Sequence, residues 1–156
     1  DADRLTLQGG TLLTTSSFTL NTNRGIALGA SHGSINVAAG TTLTYDGVIA
    51  GGNNLTKLGT GTLDLGGANT YSGTTTISAG ELNVTGTLSD STAVTVAGSA
   101  TYDSDTTDTI GSIEGAGNIE IADSTTLTVG GDDSSTTFSG VISGSGNLTK
   151  TGRYEY

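Results

Sequence analysis

Short apolar–polar–apolar triplets recur from one end of the chain to the other: LTL (5–7), FTL (18–20), IAL (26–28), INV (35–37), LTY (43–45), LDL (63–65), LNV (82–84), VTV (94–96), IEI (119–121) and LTV (127–129). Each triplet puts two apolar side chains on one face of an extended strand and a polar one on the other. The closest triplets start roughly 8–9 residues apart, with Gly, Asn, Asp or Ser between them. No window carries apolar residues at a helical spacing of about 3.6. The pattern predicts a nearly all-β chain. Its spacing suits a sandwich or a barrel, and equally a solenoid with about three short strands per coil.

Internal repeats favour the solenoid. GVIAGGNNLTKLG begins at Gly47 and GVISGSGNLTKTG at Gly140; they agree at 9 of 13 positions, at an offset of 140 − 47 = 93. A weaker echo, GSIEGAGNIE, begins at Gly111, at an offset of 140 − 111 = 29. A sandwich gives no reason for one strand–turn unit to recur, whereas every coil of a solenoid solves the same packing problem against its neighbours. We expect one β-helical segment over 1–156, about six coils of about 25 residues, and a rod of roughly 30 Å at the strand spacing of about 4.8 Å. Parallel crossovers predict a right-handed coil. The unit is read as 47–86, with a second begun at 140–152. On this reading Gly47 and Gly140 hold the same position in the coil.

Composition sharpens this picture. Gly is 26 of 156 residues, 31 are Thr, and Pro, Cys, Met and Trp are absent. Thr with Val, Ile and Leu suits a pleated surface, and Gly suits the turns between strands. Low aromatic content, 4%, fits a narrow core of stacked Val, Ile, Leu and Ala with Thr, Ser, Asn and Asp outside. The net charge of −10 disfavours nucleic acid and anionic membrane as partners. No run approaches the ~20 apolar residues of a spanning helix. The absence of Cys removes disulfides and thiolate metal sites. The chain starts at Asp1 without Met and is expected to be a mature or excised piece.

From Leu55 to Val84 the sequence KLGTGTLDLGGANTYSGTTTISAGELNV and its flank resemble the autotransporter-associated β-strand repeat of bacterial type V secreted passenger domains. The matching residues are Lys57, Gly59, Gly61, Thr62, Leu63 and Leu65, then Gly67, Asn69, Thr70, Tyr71 and Gly73, then Ile77, Gly80, Leu82 and Val84. The copy at Gly140–Gly152 begins similarly and then departs into Arg153, Tyr154, Glu155 and Tyr156. The resemblance implies a right-handed parallel β-helix held outside a Gram-negative outer membrane. It also implies a C-terminal outer-membrane barrel in the parent, and this chain as a fragment of the exported stalk. The glycines at 59, 61, 67, 73 and 80 are expected to turn the backbone sharply. Asn69 is expected at a corner, tolerating the left-handed region and bonding the backbone, or joining a ladder of like residues, with Tyr71 packed over a corner.

Candidate chemistry is sparse. His32, the only histidine, sits beside Ser31 in ASHGS without a nucleophile elbow, and reads as an exposed turn residue rather than a catalytic base. Nine carboxylates lie between Asp90 and Asp133 with no Lys or Arg among them. Asp103, Asp105 and Asp108 in YDSDTTD and Asp132–Asp133 in GGDDSS offer oxygen ligands for calcium, but neither the EF-hand spacing nor a calcium β-roll repeat is present. They read as solvated loops, with no metal or cofactor expected. A carbohydrate-active β-helix needs clustered carboxylates, often with a positioned base. The bases here are Arg4, Arg24, Lys57, Lys150 and Arg153, and Lys57 and Lys150 read as equivalent structural positions. No enzyme is expected. Thr42-Leu43-Thr44 and Thr126-Leu127-Thr128 have the local form of an ice-binding face, but the pairs do not recur at every coil. NLT at Asn54 and Asn147 and NVT at Asn83 match the glycosylation sequon and read as by-products of the motif. The expected function is a stalk that aids sequential folding during export. The alternatives are an adhesin surface for a host molecule or for self-association, and, third, a carbohydrate-active enzyme.

Overall fold

The computed structural model describes residues 5–152. The expectations placed on Arg4, Arg153 and the tail 153–156 lie outside them. The described residues form nineteen short strands and no helix. Every strand pairing is parallel. The chain is a parallel β-solenoid, the architecture that the internal repeats favour, and all ten triplets fall inside strands.

Three faces take their strands in rotation. The longest sheet has seven strands, from Phe18–Leu20 through Thr42–Tyr45, Thr62–Leu65, Gly80–Val84, Ala100–Ser104 and Asn118–Ile121 to Val141–Gly144. A six-stranded sheet runs from Thr11–Thr14 to Ile113–Gly115. The remaining face holds Leu5–Leu7, Ile26–Leu28 and Ile49–Ala50 in one sheet and Asp108–Ile110, Thr126–Val129 and Asn147–Lys150 in another. The two hold the same place in the order of each coil. Between them the coils are linked by an Ala68↔Thr87 bridge and by hydrogen bonds such as Thr70 N to Ile49 O at 2.9 Å.

Seven strands on one face mean about seven coils rather than six. Register steps show why. Thr62 pairs Glu81 (81 − 62 = 19) and Glu81 pairs Thr101 (101 − 81 = 20), so the central coils are shorter than expected. Only the first step, from Phe18 to Leu43 (43 − 18 = 25), reaches the predicted length. Seven coils at about 4.8 Å still give a rod of roughly 30 Å.

The two best-matching repeat copies do not share a coil position. Ile49–Ala50 and Leu55–Leu58 lie on the first and second faces, whereas Val141–Gly144 and Asn147–Lys150 lie on the third and first. The echo at Gly111 supplies Ile113–Gly115 and Asn118–Ile121, on the second and third. The recurring sequence therefore builds one corner, and each copy uses a different corner of the triangle.

Registered side chains stack into the core. Leu43, Leu63, Leu82, Tyr102 and Ile119 are aligned on the third face and wholly buried. Their continuation, Ile142, is 45% exposed because no coil covers it, and Leu148 beside it is equally open. The interior is not purely aliphatic. Thr75, Thr92, Ser104, Asp108, Ser112, Asn69 and Lys57 are buried as well. Leu63 has neighbours in register on both sides, so Leu63→Ala is expected to cost about 2–5 kcal/mol. Leu148→Ala at the open end is expected to cost about 1 kcal/mol or less. Urea denaturation of both variants checks the difference.

Candidate functional site

Residues 55–84 follow one another around about one and a half coils, with Leu55 paired to Thr75 and Thr62 to Glu81, so the repeat is a structural unit in contact with itself. Leu63, Leu65, Ile77, Leu82 and Val84 all point inward and are fully buried. Thr62 points outward, its hydroxyl 3.4 Å from Glu81 Oε1 on the next coil. Thr70 is exposed and joins the stack through its backbone.

The five glycines serve two purposes. Gly59 and Gly80 have φ of +75° and +68°, as a sharp turn requires. Gly61, Gly67 and Gly73 are not left-handed; there the constraint is space. A Cβ on Gly67 would lie 2.0 Å from Gly47 O of the preceding coil, one on Gly61 would lie 2.2 Å from Ala38 O, and one on Gly73 would lie 2.3 Å from the Asn53 carbonyl carbon.

Asn69 is buried, and its φ is not positive, so the left-handed region is not used. Its Oδ1 accepts from Ile49 N at 3.0 Å, and its Nδ2 donates to Gly67 O at 3.0 Å and Thr87 O at 3.1 Å. One amide thus ties the coils on both sides to its own. No ladder of asparagines forms. Instead Asp108 takes the corresponding role later in the stack, its Oδ2 accepting from Leu88 N at 2.9 Å and its Oδ1 from Thr109 N at 2.9 Å. Burial raises the Asp108 pKa, against the pull of those bonds and with the push of Asp90.

Tyr71 lies inside the core, not over a corner, with its hydroxyl 2.5 Å from Thr75 Oγ1. Burial pushes its pKa and that of Tyr102 far up. Tyr102 Oη is buried without a hydrogen-bond partner.

Lys57 is the least expected member. It occupies a core position between Ile35 and Ile77 and is fully buried. Strand alternation forces it inward, and its long stem spans the core to the corner. There Nζ donates to Gly59 O at 2.9 Å, Leu58 O at 3.1 Å and Ala79 O at 3.2 Å. Burial lowers its pKa to about 8, partly opposed by Glu81. Lys150 is not its equivalent in the coil. It lies on another face at the open end, and its ammonium reaches Thr151 O. The simple local signal for Lys57 is its place two residues after Leu55, on the same side of the strand.

The remaining candidates do not converge. His32 is exposed, at φ +63°, and its Nδ1 accepts from Asn54 N at 3.2 Å. Asn54 Oδ1 then accepts from Thr74 N at 3.0 Å, so the histidine begins a side-chain chain along one corner. Within YDSDTTD, Asp103 faces outward from its strand while Asp108 turns into the core. Asp132 accepts from Ser112 Oγ at 2.8 Å and Ser134 N at 2.9 Å. Burial opposes ionisation there, but these bonds hold the carboxyl below its usual value. Among the described residues no cluster of three or more His, Asp or Glu side chains is placed to hold a metal. The arrangement is one of backbone bracing, with its polar side chains spent on neighbouring coils.

Residues 55–84 match the family model described as the passenger-associated-transport-repeat. Over 80 residues the chain is 51% identical to a protein of Brucella suis biovar 1 (strain 1330) named Adhesin BmaC autotransporter. The shared stretch is 51% of this chain and 2% of that relative, so the chain spans a small fraction of its length. No solved structure matches the chain.

Two outcomes follow from the bracing groups. Asn69→Ala orphans one buried N–H and deprives two carbonyls, and is expected to cost about 1–3 kcal/mol in urea denaturation. For Lys57 the unfolded chain binds the proton more tightly, because the folded pKa lies below the ordinary 10.5. Its contribution to stability therefore rises as pH increases through the window from about 8 to 10.5. Lys57→Met removes that contribution. The difference in denaturation midpoint between wild type and variant is expected to shift towards wild type across the window, and a constant difference would contradict the lysine assignment.

Proposed function

We propose that this segment, which carries an autotransporter passenger repeat over residues 55–84, is a structural part of an exported passenger. It aids sequential folding during secretion and then serves as a stiff stalk on the surface of a Gram-negative bacterium. Its parent carries a C-terminal outer-membrane barrel as partner, and the segment itself is non-enzymatic. The unit 47–86 is read as one repeat and 140–152 as the start of another.

The observation that carries this reading is the pairing pattern. Within each sheet the interior strands bond the strand one coil before and the strand one coil after, so a completed coil is a template for the next. Chain emerging from a pore can add coil by coil without waiting for distant sequence. The side chains of the matched repeat are occupied in the same task, and none is left as a reactive group.

A second reading is supported by the name of the Brucella relative, an adhesin. Here the flank of the solenoid binds a host surface molecule or another copy of itself. The two readings separate in the full-length parent. Deleting residues 62–80 removes 19 residues, one register step, and keeps the faces in phase. Deleting 62–70 removes less than a coil and breaks phase. The stalk reading expects normal surface display and cell adhesion for the first deletion and severalfold lower display for the second. Normal display with lost adhesion after the in-phase deletion would instead make the segment the binding surface.

A further inference from the structure

The third face carries an outward column in strict register: Thr44, Asp64, Asn83, Asp103 and Glu120. Adjacent members sit about 4.8 Å apart along the stack. Asp64 has a donor, since Thr85 Oγ1 lies 3.4 Å from its Oδ1. Asn83 and Asp103 differ. Each presents an Oδ1 atom shielded from solvent with no hydrogen-bond partner, and the two residues are direct register neighbours. Two residues paired across neighbouring coils thus each carry an acceptor oxygen that no donor reaches. Leaving both unsatisfied is costly, and a proton shared between them removes the cost.

We propose that Asn83 and Asp103 form a proton-binding pair, in which mild acid protonates Asp103 and its hydroxyl donates to Asn83 Oδ1, clasping two coils. The proton comes from solvent, and no other bond breaks. The groups facing Asp103 reinforce uptake. Glu81 lies on the preceding strand, Glu120 on the following strand, Asp105 just beyond the end of its own strand, and Asp64 two rungs away. Burial and the charges of Asp105, Glu120 and Glu81 raise the Asp103 pKa to about 6. Among the described residues no base is paired with Asp103; Lys57 interacts with Glu81, and its ammonium is already held by three carbonyls.

The sign is the reverse of an ordinary salt-bridged aspartate. The folded chain binds the proton more tightly than the unfolded chain, whose aspartate titrates near the ordinary 3.8. This pair therefore adds stability as pH falls through about 6, and its contribution is complete below the unfolded value. The folded segment is more stable in mild acid through this pair than it is at neutral pH. The inference concerns the chain's own physics and does not depend on which functional reading holds.

The test uses the 156-residue chain. Carboxyl carbon NMR is expected to show Asp103 titrating near pH 6. From pH 7.5 to pH 5 the folding equilibrium constant of wild type is expected to rise about tenfold more than that of Asp103→Asn. The variant's amide supplies a permanent donor, so it is expected to exceed wild type in stability at pH 7.5. An Asp103 titration at or below pH 4 in the wild-type chain would overturn the proposal. It would mean that the Asn83 amide nitrogen, not its oxygen, faces the carboxylate. Equal pH dependence of wild type and Asp103→Asn would overturn it too.

Discussion

Parallel stacking at about 4.8 Å is the constraint from which the rest of this structure follows. Every strand must satisfy its backbone on the coil below and the coil above. At the turns the same approach continues with less room. A Cβ on Gly140 would sit 1.8 Å from Gly117 O, and one on Gly131 would sit 2.1 Å from Asp90 O. Much of the glycine content is therefore a demand for space between neighbouring backbones, more than a demand for unusual dihedral angles. Where strands stop short, side chains take over the ladder. Asn69 and Asp108 supply the acceptors for Ile49 N and Leu88 N, while His32 and Asn54 supply those for Asn54 N and Thr74 N.

The same constraint explains what could be read from sequence. Strict alternation of apolar and polar residues survives wherever both inward positions are aliphatic, and every such triplet is a strand. The strand Thr75–Ile77 was not legible, because its first inward residue is a threonine bonded to Tyr71 inside the core. Lys57 was hidden for the same reason. A charged residue reads as outward until the strand's parity is known, and then only a local cage of carbonyls makes burial tolerable. The stretch that carries the repeat was legible, and the matching family model covers the same residues, 55–84. Their roles were harder to see, since Asn69 and Gly67 act on coils some 20 residues away, and no local pattern shows that partner.

Carboxylates make the point from another side. Nine of them crowd one stretch of sequence, which on sight suggests a single solvated or metal-binding region. Register separates them. Asp108 faces the core and braces two backbone N–H groups. Asp132 is tied to Ser112 and Ser134. Asp103 stands on an outer column among other acids with an oxygen that nothing satisfies. Three identical side chains thus reach three different electrostatic states. The difference lies in which way each strand turns its alternate residues and which coil happens to lie beside it.

Register also accounts for the drift of the repeat across faces. The corner sequence around GNLTK is a local device: an inward leucine, an outward threonine, an inward lysine, and a glycine that reverses the chain. Lys57 finds Leu58 O and Gly59 O, and Lys150 finds Thr151 O, so much of the cage travels with the motif. The face on which a copy lands is set elsewhere, by the lengths of the intervening turns. Thr101 to Asn118 is a step of 118 − 101 = 17 residues and Asn118 to Val141 one of 141 − 118 = 23. Because coil length varies while corner chemistry does not, sequence identity between copies marks a corner and not a face. Only the third contact of Lys57, to Ala79 O, requires a following coil. A lysine of this kind at an open end therefore keeps its local carbonyls and lacks only the one that the following coil supplies.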